Sequence, residues 1–170
     1  MTELYVNALA DELDRGANAI REMNDAVYRT ASPHTGSIGA QFRHNLDAAL
    51  CLLRGLANGA IDLVSRKRDT WVETDRVYAI RRFETTIKAL RDVDVQRLDR
   101  DVLVRSELVP SAWHHSELVR EIESVYSHTV HHHALIAEKL AFLGAEVPPN
   151  FGVAPSTLAY WKQQQAALTT

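Results

Sequence analysis

Apolar residues return every three or four positions along most of this chain, and that spacing decides its fold class. Leu9, Leu13, Ala17, Ile20, Met23 and Val27 form one stripe, and Ile38, Phe42, Leu46, Ala49, Leu53 and Leu56 a second. Val77, Ile80, Phe83, Ile87 and Leu90 form a third, and Leu118, Ile122, Val125, Ile136 and Leu140 a fourth. A helix advances about 100° per residue, so this spacing keeps one face apolar, where a strand would need strict alternation. Each face must be buried against another, and four such helices are most economically satisfied by a bundle. The chain has 170 residues, 46% of them apolar, enough for one domain with its own core. The expectation is an all-α protein, a four-helix bundle in a single domain over residues 1–170.

Breaks in the pattern place the connections. "TASPHTGS" ends a first helix of Glu3 to Tyr28 with Pro33 and Gly36. Ser37 is the expected cap of a second helix that runs to Asn58, and Thr74 or Asp75 of a third. "RDVLVRSELVPSAW" clusters β-branched residues with a proline, which predicts at most a short extended piece between Val102 and Val109. The last helix then starts at Ser111 or Ser116 and runs to Leu143. Residues 145–170 read as a C-terminal tail packed on the bundle through Phe151, Leu158, Tyr160 and Trp161.

Several function classes fall away. The net charge is −3 and the one dense basic cluster is Arg66–Arg68, which reads as a solvated helix end rather than an anion site, so no nucleic-acid partner is expected. The longest apolar run, "AALCLL", is far too short for a bilayer, and the acidic N-terminus has no secretory pattern, so no membrane partner is expected. Cys51 is the single cysteine, which permits no internal disulfide and sets a cytoplasmic location as the default. HExxH, paired ExxH, GxGxxG, Walker and GxSxG patterns are all lacking.

What remains is "SHTVHHHALI", Ser127 to Ile136, with four of the eight histidines. His128 and His132 are four residues apart, on one margin of the apolar stripe, so their rings stack on one helix face. Two imidazoles so placed can hold a divalent ion such as zinc, nickel or iron. His131 falls well away from them, toward water, and His133 on the opposite margin of the stripe. A third ligand has to come from elsewhere. His44 in the second helix is the best candidate, because its own stripe of Ala48, Cys51 and Gly55 is small and leaves space for a neighbouring helix. His34 could compete with it. Asp47, on a different side, suits an outer position or solvent better than the ion. Cys51 reads as a buried small residue rather than a nucleophile. The competing reading of the whole cluster is a set of hydrogen-bonded core histidines with no metal.

"GSIGAQFRHNLD", "SHTVHHHALI" and "PPNFGVAPSTLAYWK" together resemble the DinB-like superfamily of small helical, damage-inducible-type proteins. The likeness runs from about Gly36 to Trp161 and takes in "RKRD" and "ETD" between the second and third helices. It implies a four-helix bundle with up-down-down-up order and a long crossing connection. It also implies a divalent metal held by three histidines, which match His44, His128 and His132 here, and a homodimer. Some relatives transfer low-molecular-weight thiols. The chain departs from the pattern at Ala48, where close relatives often carry a second histidine, and at His133, where an aromatic or aliphatic residue is usual. His133 could add a fourth nitrogen or face water. The leading expectation is therefore a metal-dependent transferase or hydrolase acting on a small thiol or electrophile. The alternative is a non-enzymatic stress-response or binding protein with a structural or vestigial metal site.

Overall fold

The structure, a computed structural model, describes residues 1–98 and 100–168. In chain order it contains α1 (Thr2–Glu22), α2 (Asp25–Arg29), β1 (Ala31–Ser32), β2 (Gly36–Ser37), α3 (Ile38–Asn58) and β3 (Ala60–Ile61). There follow α4 (Trp71–Thr74), α5 (Arg76–Arg91), a 3-10 turn (Val95–Arg97), β4 (Asp101–Arg105), β5 (Trp113–Glu117), α6 (Leu118–Phe142) and α7 (Pro155–Leu168).

The protein is mostly helical, as the periodicity requires. Helices α1 and α3 each pack against both α5 and α6. The predicted stripes form their shared core: Leu9, Leu13, Ile20, Ile38, Phe42, Leu46, Phe83, Leu90, Ile122 and Ile136 are all buried. Phe42 lies near its centre, stacked with Tyr28 at 6.1 Å and edge-on to Phe83 at 5.9 Å. Two caps fall where the sequence puts them. The Ser37 side chain accepts from Ala40 N, and Asp75 accepts from Tyr78 N, each at 2.9 Å.

Three expectations are corrected. The first helix does not reach Tyr28 unbroken. Asn24 accepts from Val27 N at 2.9 Å and starts α2 as a separate short helix, because a side chain that caps cannot also continue the helix it interrupts. The fold is not purely α. β3 pairs in parallel with β4, with Ala60 opposite Leu103, and β4 pairs antiparallel with β5 from Asp101 opposite Glu117 to Arg105 opposite Trp113. Residues 113–117 thus leave the expected last helix and become a strand that runs directly into α6. The tail is also different. Phe151 is buried, but Tyr160 and Trp161 lie on α7, where 57% and 46% exposure keeps both out of the core.

The small sheet aligns α3 with α6. β3 continues from the end of α3 and β5 feeds the start of α6, so the strands pin those two helix ends together. From that tie the helices run in opposite directions. His44 is 14 residues before the end of α3 and His132 is 14 residues after the start of α6. At 1.5 Å per residue both stand about 21 Å from the sheet end, which is why they meet.

Helix α3 is held from its other side by a buried tyrosine. Tyr28 Oη donates to Val72 O at 2.5 Å inside the core. Tyr28→Phe keeps the ring and strips the carbonyl of its partner, so it should cost roughly 1–3 kcal/mol. Urea unfolding should show that loss as a lower midpoint with an unchanged slope.

Candidate metal centre

His44 comes from the first half of α3, and His128 and His132 from successive turns of α6. One nitrogen from each lies within 4.8 Å of the others. The rings meet edge-on in all three pairings, with centroids 4.8 Å apart for His44 and His128, 4.6 Å for His44 and His132, and 4.5 Å for His128 and His132. Three imidazoles standing nearly equidistant around one point is the arrangement the sequence anticipates. Among the described residues this is the one such group of histidine, cysteine or carboxylate side chains, and no carboxylate belongs to it.

The electrostatics suit a cation held by neutral nitrogen. Burial, then His128 and the cations Arg66, Arg43 and Arg68, lower His44 to about 4. Burial, then His128 and His44, lower His132 to about 3. His128 is also lowered, first by burial and then by Arg66, against an opposing pull from Glu107. All three therefore carry free lone pairs at neutral pH, the form that binds a metal. His128 Nε2 is buried without a hydrogen-bond partner, an orphaned acceptor of the kind a bound ion would satisfy. A set of three neutral imidazoles fits zinc, nickel or iron(II) and does not suit magnesium or calcium, which take oxygen ligands.

Other histidines stay apart. His131 is exposed, as expected, although its ring lies 5.4 Å from that of His132. His34 is exposed in the turn between β1 and β2 and takes no part in the group. His133 neither joins the group nor faces water. It is fully buried, its Nδ1 is 2.6 Å from Glu12 Oε1, and its ring stacks on Phe151 at 4.3 Å. Its Nε2 lies where a side chain at position 16 would begin: a Cβ added to Gly16 would meet it at 2.8 Å. Only glycine lets the imidazole occupy that space.

Two more readings change. Asp47 is buried, not solvent-facing, and receives Arg43 Nη1 at 2.5 Å, while Arg43 Nε lies 2.5 Å from Glu73. The pair consumes Asp47 without bringing it to the histidines. Gly55 does give space, but to β3 rather than to α6, because a Cβ there would collide with Ile61 Cγ1. Cys51 is buried, as expected, and accepts from Arg54 Nη2 at 3.0 Å.

Sequence reasoning missed Gln41 and Glu12. Gln41 is almost fully buried and its Oε1 is 2.5 Å from His132 Nδ1. It precedes His44 by one helical turn, so the i,i+3 spacing was the available signal. Glu12 sits three residues after Leu9 and before Leu13, an acidic residue inside an apolar stripe.

No family model matches the chain. One curated relative, FK506-binding protein 5 of Rhizopus delemar, is 32% identical over 103 residues. The match covers 58% of this chain and 27% of that protein, so the chain spans about a quarter of the relative's length. No helix among the described residues is long and apolar enough to cross a membrane.

Proposed function

We propose that this chain is a DinB-like protein that binds one divalent ion through His44, His128 and His132 and acts on a small thiol or electrophile. The observation that carries the metal reading is the convergence of three neutral imidazoles from two helices on one point. The family reading rests on the three sequence motifs and on their agreement with this cluster. It brings with it the up-down-down-up order of the helices and a homodimer, while a cytoplasmic setting rests on the single cysteine.

The catalytic reading is favoured over a structural metal by what stays away. His34 and His133 do not complete the shell, so the protein supplies three nitrogens, the number typical of sites that keep a position for water or substrate. Bound there, zinc, nickel or iron supplies Lewis acidity, which lowers the pKa of a coordinated water or thiol toward neutrality. The chain's own residues define the surroundings. Burial is the main cause that lowers His44 and His128, and Arg66 adds to it at both, with Arg43 and Arg68 at His44, so the arginines make this side of the site positive and favour a thiolate or a carboxylate-bearing molecule. Arg66 also pairs with Glu107, at 3.6 Å.

The test is elemental analysis of protein purified without an affinity tag, then a screen for transfer of small thiols to electrophiles. One equivalent of a divalent ion per chain, with turnover that disappears on chelation and returns on reloading, is the expected result. Protein that takes up no zinc, nickel or iron after incubation sinks the metal reading. Metal without turnover across the screen leaves the non-enzymatic binding protein.

A further inference from the structure

The ring of His132 is held by one side chain, and that side chain is itself held. Gln41 Nε2 donates to Thr35 O, which fixes the orientation of the amide and leaves Oε1 turned to His132. Thr35 and the adjoining Gly36 are anchored in turn by Lys139 Nζ, two turns along the same face of α6 from His132. With its nitrogen spent on Thr35, Gln41 can offer His132 only an acceptor. The atom facing it at 2.5 Å is Nδ1, so that nitrogen must carry the proton.

We infer that Gln41 is a positioning residue that locks His132 in the Nδ1–H tautomer and aims its bare Nε2 at His44 and His128. No other hydrogen bond to His132 competes to fix the tautomer among the described residues. A free imidazole prefers the opposite form, with the proton on Nε2, and that form would put a proton where a ligand lone pair is needed. Metal-bound histidines generally have the far nitrogen tied to an acceptor in this way, and loss of the acceptor weakens binding. The arrangement also explains why a glutamine is buried beside an imidazole rather than an apolar residue. Its purpose rests on the proposed metal site, but the tautomer itself does not.

The experiment therefore reads both. Ring nitrogen shifts of His132 are measured by NMR on the metal-free wild type, Gln41→Met and Gln41→Glu. Zinc affinity is measured on the same proteins by competition with a chelator, with His132→Ala as the control. Wild type should show the Nδ1–H form. Gln41→Met, similar in length but without the acceptor, should move His132 toward the Nε2–H form and weaken zinc about 10–100-fold. Gln41→Glu restores an acceptor and should recover the Nδ1–H form and an affinity above that of Gln41→Met. Circular dichroism on each variant checks that the helices persist. The inference is overturned if wild-type His132 carries its proton on Nε2, or if Gln41→Met keeps the wild-type tautomer. It is likewise overturned if His132→Ala loses zinc while Gln41→Met stays within about threefold of wild type. If the wild type binds no zinc at all, the metal reading fails, and the NMR result alone still decides whether Gln41 sets the tautomer.

Discussion

His132→Ala should lower zinc affinity more than about 100-fold, beyond the 10–100-fold typical of losing an outer hydrogen-bond partner, because it removes a ligand itself. His131→Ala, one residue away and exposed, should leave affinity unchanged. Isothermal titration of the two variants beside wild type decides it, and equal losses would defeat the three-histidine assignment. The pH dependence should be unusual. Ordinary imidazoles compete with protons below about pH 6.5. Here His44 is lowered to about 4 and His132 to about 3, so protons compete for these two nitrogens only well below that range. Affinity should persist to lower pH than at a site of ordinary imidazoles and be lost as His44 near 4 and then His132 near 3 take up protons. The same shifts act on folding. Between those values and about 6.5 the unfolded chain binds protons that the folded chain refuses, so the metal-free protein should lose stability as pH falls through this window. Stability from these two histidines is fully present above about pH 6.5. Metal should raise the melting temperature wherever affinity holds, as expected of a ligand bound only by the folded state.

The helices and the three histidines were legible in the sequence for one reason. Both depend on spacing within a single helix, where 3.6 residues per turn converts sequence distance directly into direction. The i,i+4 pair His128 and His132 needed only that arithmetic, and the place of His44 followed from its helix and its resemblance to a known motif. The strands were not legible, because each is defined by a partner far away. Ala60 meets Leu103 across more than forty intervening positions. "WHHSE" carries no apolar alternation that would mark it, since four of its five residues are exposed. Its pairing with β4, rather than its composition, makes it a strand. The interruption at Asn24 was hidden by a stripe that continues through it, with Ile20, Met23 and Val27 on register while the backbone turns. His133 shows the same limit. Its helical angle placed it correctly on the far margin from His128, but no angle can reveal a partner 121 positions away.

That partner gives the largest expected effect on stability. Glu12 and His133, both buried, form a polar knot between α1 and α6 with the partly exposed Arg15. Glu12 takes His133 at one oxygen, 2.6 Å, and Arg15 Nη1 at the other, 3.0 Å. Arg15 Nη2 also donates to Asn150 O at 2.6 Å, and Phe151 lies on the His133 ring, so the knot ties down the start of the tail. Burial alone would raise the Glu12 carboxyl, but the hydrogen bond and charge of its two partners outweigh it and hold the group below its ordinary range. Burial lowers His133 despite the opposing pull of Glu12, so the ring is neutral and its Nδ1–H donates to a carboxylate. Both groups are depressed, so both withdraw their contribution as pH falls, His133 from about 6.5 downward and Glu12 from its ordinary value of 4.5 down through its lowered one. Removing either partner strands the other in the core. His133→Ala, which leaves the Glu12 carboxylate short of a partner in the core, should cost roughly 3–5 kcal/mol, Glu12→Ala, which leaves a neutral imidazole N–H unpaired, roughly 1–3 kcal/mol, and the double variant less than their sum by about 1–3 kcal/mol. A double-mutant cycle by urea unfolding measures this, and additivity within about 0.5 kcal/mol would show that the two do not interact. His133→Ala, wherever it remains folded, should still take up one equivalent of zinc. A loss of metal in that variant, with its helix content intact, would place His133 among the ligands after all.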